Sequence, residues 1–101
     1  MLESFTIHTF SGHVGSKFRV HLDASDPLEV ELISATGLGG SAGEEPPVRR
    51  QPFSLVFRGP GDILLPQRIY PMEHEQIGSF DLFLVPIGPD EKGLRYEAIF
   101  T

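Results

Sequence analysis

The chain contains no cysteine and no tryptophan. Without thiols there is no disulfide framework, no thiolate zinc site and no cysteine nucleophile, so packing has to hold the fold together. Basic residues are also scarce: 8 Lys and Arg stand against 14 Asp and Glu, a formal net charge of −6. A phosphate backbone repels such a chain, and the one adjacent basic pair, Arg49-Arg50, is no stripe to overcome that. Nucleic acid is not an expected partner. No stretch approaches the roughly 20 apolar residues of a membrane helix. The opening M-L-E-S-F-T-I-H-T-F lacks both the basic region and the continuous apolar run of a secretion signal. Membrane insertion is therefore not expected, and a cytoplasmic location is the default.

Helical periodicity is nearly missing too, and period-two alternation takes its place. From Lys17 the chain reads K-F-R-V-H-L-D, with Phe18, Val20 and Leu22 on one face. The Ala24-Ser25-Asp26-Pro27 turn reverses it into Leu28-Glu29-Val30-Glu31-Leu32, which predicts a hairpin. Pro52 to Arg58 places Phe53, Leu55 and Phe57 together and ends in Gly59-Pro60-Gly61-Asp62, a turn. Gln67 to His74 alternates again, but Pro66 and Pro71 predict an edge or bulged strand. Ser79 to Pro86 becomes continuously apolar, as in a strand covered on both faces. Leu94 to Phe100 closes the chain after a Gly88–Gly93 turn.

These segments predict one all-β domain over residues 1–101: a small antiparallel barrel or sandwich of about six strands. The eight Phe supply the bulk of its core. Phe5, Ile7 and Phe10 form either a short helical turn plugging one end or an additional edge strand. The Gly/Pro-rich run from Thr36 to Gln51 reads as one long loop, past the usual ~12–15-residue limit for compact domains.

Chemistry-bearing patterns are weak. The four histidines, His8, His13, His21 and His74, have neither the i, i+4 spacing of a zinc protease nor a strand H-x-H. Glu73 and Glu75 share one strand face and His74 takes the other, so the three do not converge on an ion. Asp23 and Asp26 flank a turn without the ligand-rich loop of a calcium site. G-L-G-G-S-A-G lacks the Lys-Ser/Thr ending and the helix of a phosphate loop. No serine sits in G-x-S-x-G. No catalytic residue, metal or cofactor is assigned. The binding candidates are Arg58, Gln67, Tyr70 and Tyr96, aromatic and polar groups that suit sugars and small polar ligands, with Phe83, which faces away from the Phe80/Leu82/Leu84 set.

Nearly the whole chain resembles a small bacterial domain family of unknown function. The matching stretches are His13-Val14-Gly15 with Phe18-Arg19-Val20, then R-R-Q-P-F-S-L-V-F-R-G-P, L-L-P-Q-R-I-Y, E-H-E-Q-I-G, L-F-L-V-P-I-G-P-D and L-R-Y-E-A-I-F. The resemblance implies genomic companionship with proteins carrying a phage-tail-collar-type domain, the microcystin-dependent-protein-like group. It implies no activity. Three functions follow in order of expectation. The first is a non-enzymatic protein-interaction or assembly module, using edge strands or self-association. The second is a small-molecule or glycan binder, with Arg58, Gln67, Tyr70 and Tyr96 lining a barrel mouth. The third is a hydrolase with His74 or His21 beside a carboxylate.

Overall fold

Alternation of side chains decides how this chain closes. The computed structural model describes residues 5–23, 26–37 and 52–100. A short helix, α1 (Ile7–Ser11), precedes six strands: β1 (Lys17–Val20), β2 (Leu28–Gly37), β3 (Phe53–Gly59), β4 (Arg68–His74), β5 (Gly78–Pro89) and β6 (Leu94–Phe100). Each pairs antiparallel with its neighbours in the order β1-β2-β3-β6-β5-β4, and β4 returns to β1 to close a barrel. Closure settles the choice between barrel and sandwich, and it gives every described strand a partner on both sides.

Inward positions carry the apolar set of each strand: Phe18 and Val20, Val30 and Leu32, Leu55 and Phe57, Met72, Leu82 and Leu84, Ala98, all at most 5% exposed. A bulge between Leu32 and Ser34 lets Ile33 go unopposed, so Leu32 and Ala35 can both face inward. A second register shift lies between Pro86 and Gly88, and Gly88 takes φ 104°, a conformation glycine adopts without a Cβ clash.

Two expectations change here. Pro71 does not mark an edge, because β4 is paired on both sides. The Pro71 carbonyl accepts the His21 N–H at 2.8 Å, so its ring nitrogen also faces β1. The β1–β4 pairs end at Val20↔Met72, so the missing donor sits where that seam stops. β5 is likewise covered on its inner face only: Phe80, Leu82 and Leu84 are buried while Phe83 is 48% exposed. The long Gly/Pro loop lies outside the described residues, apart from Thr36 and Gly37, which extend β2.

Both barrel ends are plugged. At one, α1 lowers Phe10 among the rings of Phe18, Phe53, Phe80 and Phe100, at centroid distances of 5.6–6.4 Å. Phe5 stacks edge-on against both Phe10 and Phe80 at 5.5 Å. The N-terminal segment is thus the short helical plug and not another strand. At the other end the β3–β4 connection folds inward and buries Leu65 to 4% exposure. Replacing Phe10 by Ala should cost about 3–5 kcal/mol and Leu65 by Ala about 2–5 kcal/mol. Leu64→Ala, at an adjacent position 64% exposed, should stay within about 0.5 kcal/mol. Urea titration of the three variants measures the contrast.

Candidate functional site

The polar groups that stand out in the sequence are drawn to the barrel ends, where loop backbone needs partners. Tyr96, from the inner face of β6, reaches the β3–β4 connection: its hydroxyl accepts the Leu65 N–H at 3.0 Å and donates to the Ile63 carbonyl at 3.3 Å. Tyr70, from β4, donates to the Pro66 carbonyl at 2.6 Å. Both rings are in the core, 0% and 2% exposed, and burial pushes the Tyr70 phenol above its ordinary value. They do not line an open mouth, because each hydroxyl is spent holding Leu65 and its neighbours over the end. Gln67 is exposed at the close of this connection, and the Arg68 guanidinium lies 5.1 Å from the Tyr70 ring centroid.

Arg58 stands on the outer face of β3, apart from the tyrosines. Its guanidinium makes a forked contact with Asp90, Nε at 2.9 Å and Nη2 at 2.6 Å from Oδ2, with Glu31 on β2 at 4.0 Å. Asp90 in turn accepts the backbone N–H groups of Lys92 at 2.8 Å and Gly93 at 3.0 Å. Arg58, foremost, and these two amides pull the Asp90 carboxyl down to about 2. Gly93 packs directly on the Gly59 carbonyl, and any Cβ there would collide with it. The neighbouring surface cleft, about 320 Å3 and lined by Arg58, Asp90, Glu91 and Lys92, is therefore the outside of a braced turn. Arg58 carries the β5–β6 turn with its Nε/Nη2 edge, and Glu31 and Asp90 beside it already balance its charge.

Phe83 is the one apolar candidate, and it lies on the outer wall. Its direct partner across β4–β5 is Ile69, 60% exposed, and Ile99 on β6 is 56% exposed. The five candidates thus fall into three places: a capped end, a braced turn and an outer apolar face.

Sequence reasoning missed a serine–histidine contact. Ser16 Oγ lies 3.0 Å from His74 Nε2, although 58 residues separate them. His74 is 4% exposed, between the rings of Phe18 at 4.4 Å and His13 at 4.7 Å. Its Nδ1 faces the N–H groups of Gln76 at 3.1 Å and Ile77 at 3.3 Å, so this nitrogen is an acceptor and carries no proton. Nε2 therefore holds the proton and donates it to Ser16, whose hydroxyl donates to the His13 carbonyl at 2.8 Å. A nucleophilic serine needs the reverse polarity, with Nε2 as base and a carboxylate on Nδ1. Burial, and then the nearby His13, hold the His74 imidazole below its ordinary value, which keeps it neutral.

A histidine–carboxylate pair lies on the opposite face of β4. His21 Nε2 meets Glu73 Oε1 at 3.1 Å, and Arg19 meets Glu73 Oε2 at 3.4 Å. Arg19 and then His21 hold the Glu73 carboxyl below its usual range. No group of three or more His, Asp or Glu among the described residues could hold a metal ion, and every buried side-chain N or O there has a hydrogen-bond partner.

One family profile, described as a domain of unknown function (DUF6916), matches residues 5–100. The chain belongs to this family. The DUF6916 match starts at Phe5, the outer ring of the plug, and ends at Phe100, whose ring stacks on Phe53 at 4.5 Å. It thus coincides with the closed barrel and its plug. No curated protein and no solved structure matches the chain. No helix among the described residues is long and apolar enough to cross a membrane.

Tyr96→Phe leaves the Leu65 N–H buried without its acceptor and should cost about 1–3 kcal/mol in a denaturant titration. Asp90 has a folded-state value below its ordinary 3.8, so its stabilising contribution is complete above about pH 4 and is lost as pH falls through 2. The stability gap between wild type and Asp90→Asn should accordingly be present at neutral pH and close by about pH 2. Thermal unfolding across that range checks it.

Proposed function

We propose that this domain is a non-enzymatic protein-interaction or assembly module that binds through the outer face of β4, β5 and β6. One observation carries the reading: a closed, doubly plugged barrel sets Phe83 and Ile69 directly opposite each other on its outer wall. Barrel closure leaves no strand unpaired along a whole side, so side chains and not backbone pairing supply the contact. Aromatic and branched apolar groups are the side chains enriched at the centres of protein interfaces. The Ser16–His74 hydrogen-bond polarity speaks against a hydrolase built on His74, Arg19 already shares the Glu73 carboxylate beside His21, and the buried tyrosines speak against a glycan-binding mouth. The resemblance to companions of collar-type proteins makes a collar-type fibre protein the first partner to test, with a second copy of the chain as the other arm.

The double variant Phe83→Ser/Ile69→Thr alters two outward side chains and should leave the fold intact. Sedimentation of the purified domain, alone and with a collar-type protein, reads the association. Wild type should associate in one of these arms, and the variant should lose at least about tenfold in affinity. A wild-type monomer that binds no collar-type protein sinks the proposal, as does a variant that binds as tightly as wild type.

A further inference from the structure

His74 is the one buried imidazole among the described residues, and it joins the helical plug to the barrel wall. It sits at the last position of β4, and its two nitrogens serve two different elements. Nδ1 accepts the Gln76 and Ile77 N–H groups of the β4–β5 turn, while Nε2–H reaches Ser16 and, through it, the His13 carbonyl just after α1. The same α1–β1 turn is tied further by the Gly15 N–H to the Leu32 carbonyl at 2.7 Å and the His13 N–H to the Phe10 carbonyl at 2.8 Å.

We propose that His74 is a proton-operated latch: the neutral imidazole fastens the N-terminal plug and the β4–β5 turn to the barrel, and the imidazolium releases both. The geometry imposes this. An imidazolium has two N–H donors and no acceptor. Whichever way the ring is turned, one N–H would point at the Gln76 and Ile77 N–H groups. The charged ring therefore cannot stay in the site and must swing out, which also breaks the Ser16 contact.

A destination lies beside it. His74 borders a cleft of about 220 Å3 lined by Ser16, Lys17, Arg19, Glu29 and Glu75. Glu75 in the turn and Glu29 on β2 would attract the imidazolium, while Lys17 and Arg19 on β1 and His13 in the α1–β1 turn oppose it. Burial and His13 already disfavour the charged ring in the closed form. The closed form is thus favoured above the ordinary histidine value of 6.5 and loses ground as pH falls below it.

Amide hydrogen exchange on the full chain, corrected for the intrinsic pH dependence of exchange, tests the latch. Opening that takes up one proton at an ordinary histidine value should be about thirtyfold more populated at pH 5 than at pH 7.5. Protection at Gln76, Ile77, His13, Gly15 and Ser16 should fall together by that factor, while Leu55 and Phe57 in β3 keep theirs. His74→Asn offers an amide oxygen in place of Nδ1 and cannot be charged, so its protection should not respond to pH. Should that variant fail to fold, nitrogen-15 NMR of the wild-type imidazole decides: the Nε2–H tautomer at neutral pH, giving way to the imidazolium only as protection at Gln76 and Ile77 is lost, supports the latch. The proposal is overturned if His74 titrates while Gln76 and Ile77 stay protected, or if folded His74→Asn keeps the acid response. It is equally overturned if the β3 amides lose protection in parallel, which would be ordinary acid unfolding.

Discussion

A sheet that closes on itself has no edges, but it has two ends, and each end exposes the inward side chains to water unless something covers it. Six strands leave no interior volume to spare, so the covering must be small and fitted. One end takes a single aromatic ring, Phe10, from a five-residue helix. The other takes a single aliphatic side chain, Leu65, from a connection that folds back over the barrel. Both solutions carry irregular backbone toward the core, and irregular backbone brings unpaired N–H and C=O groups with it.

Most of the polar side chains that attract a functional reading are answers to that problem. Tyr96 and Tyr70 satisfy the connection around Leu65; Asp90, steadied by Arg58, satisfies the β5–β6 turn; His74 and Ser16 satisfy the β4–β5 turn and the exit from α1. Their hydrogen-bonding capacity is committed within the fold, so a ligand would have to displace backbone partners to reach them. The same commitment gives the ends their sensitivity to protonation. A carboxylate at Asp90 and a neutral ring at His74 are both acceptors; a proton removes the charge that holds Arg58 to the first and leaves the second with no acceptor at all.

Strands and inward faces were legible in the sequence because alternation is local: Phe18/Val20 and Phe53/Leu55/Phe57 can be read within a few residues and are buried as read. Contacts at the ends were not legible because their partners are distant in the chain. Nothing near Ser16 announces a histidine 58 residues on, and nothing near Tyr96 announces a backbone amide 31 residues back. Pro71 shows the same limit in backbone form. Its lack of a donor was visible, but whether that donor would have been needed depends on where the β1–β4 seam ends, which is a property of the closed barrel.

The outer wall follows a different logic, and it bounds what kind of partner suffices. The apolar run through Phe83 suggested cover on both faces, yet α1, the one helix among the described residues, is occupied at the barrel end. Phe83, Ile69 and Ile99 thus remain about half exposed. Burying the remainder of each contributes on the order of 1 kcal/mol, about 3 kcal/mol together. Association costs about 4–15 kcal/mol in lost freedom before any affinity appears. Three side chains would therefore form the centre of the proposed interface and not the whole of it. A stable partner must also engage the polar rim, where Asp81 flanks Phe83 and Glu97 and Arg95 flank the approach to Ile99. That rim carries both charges, so a partner matched to it is selected by the placement of its own charges as well as by apolar fit.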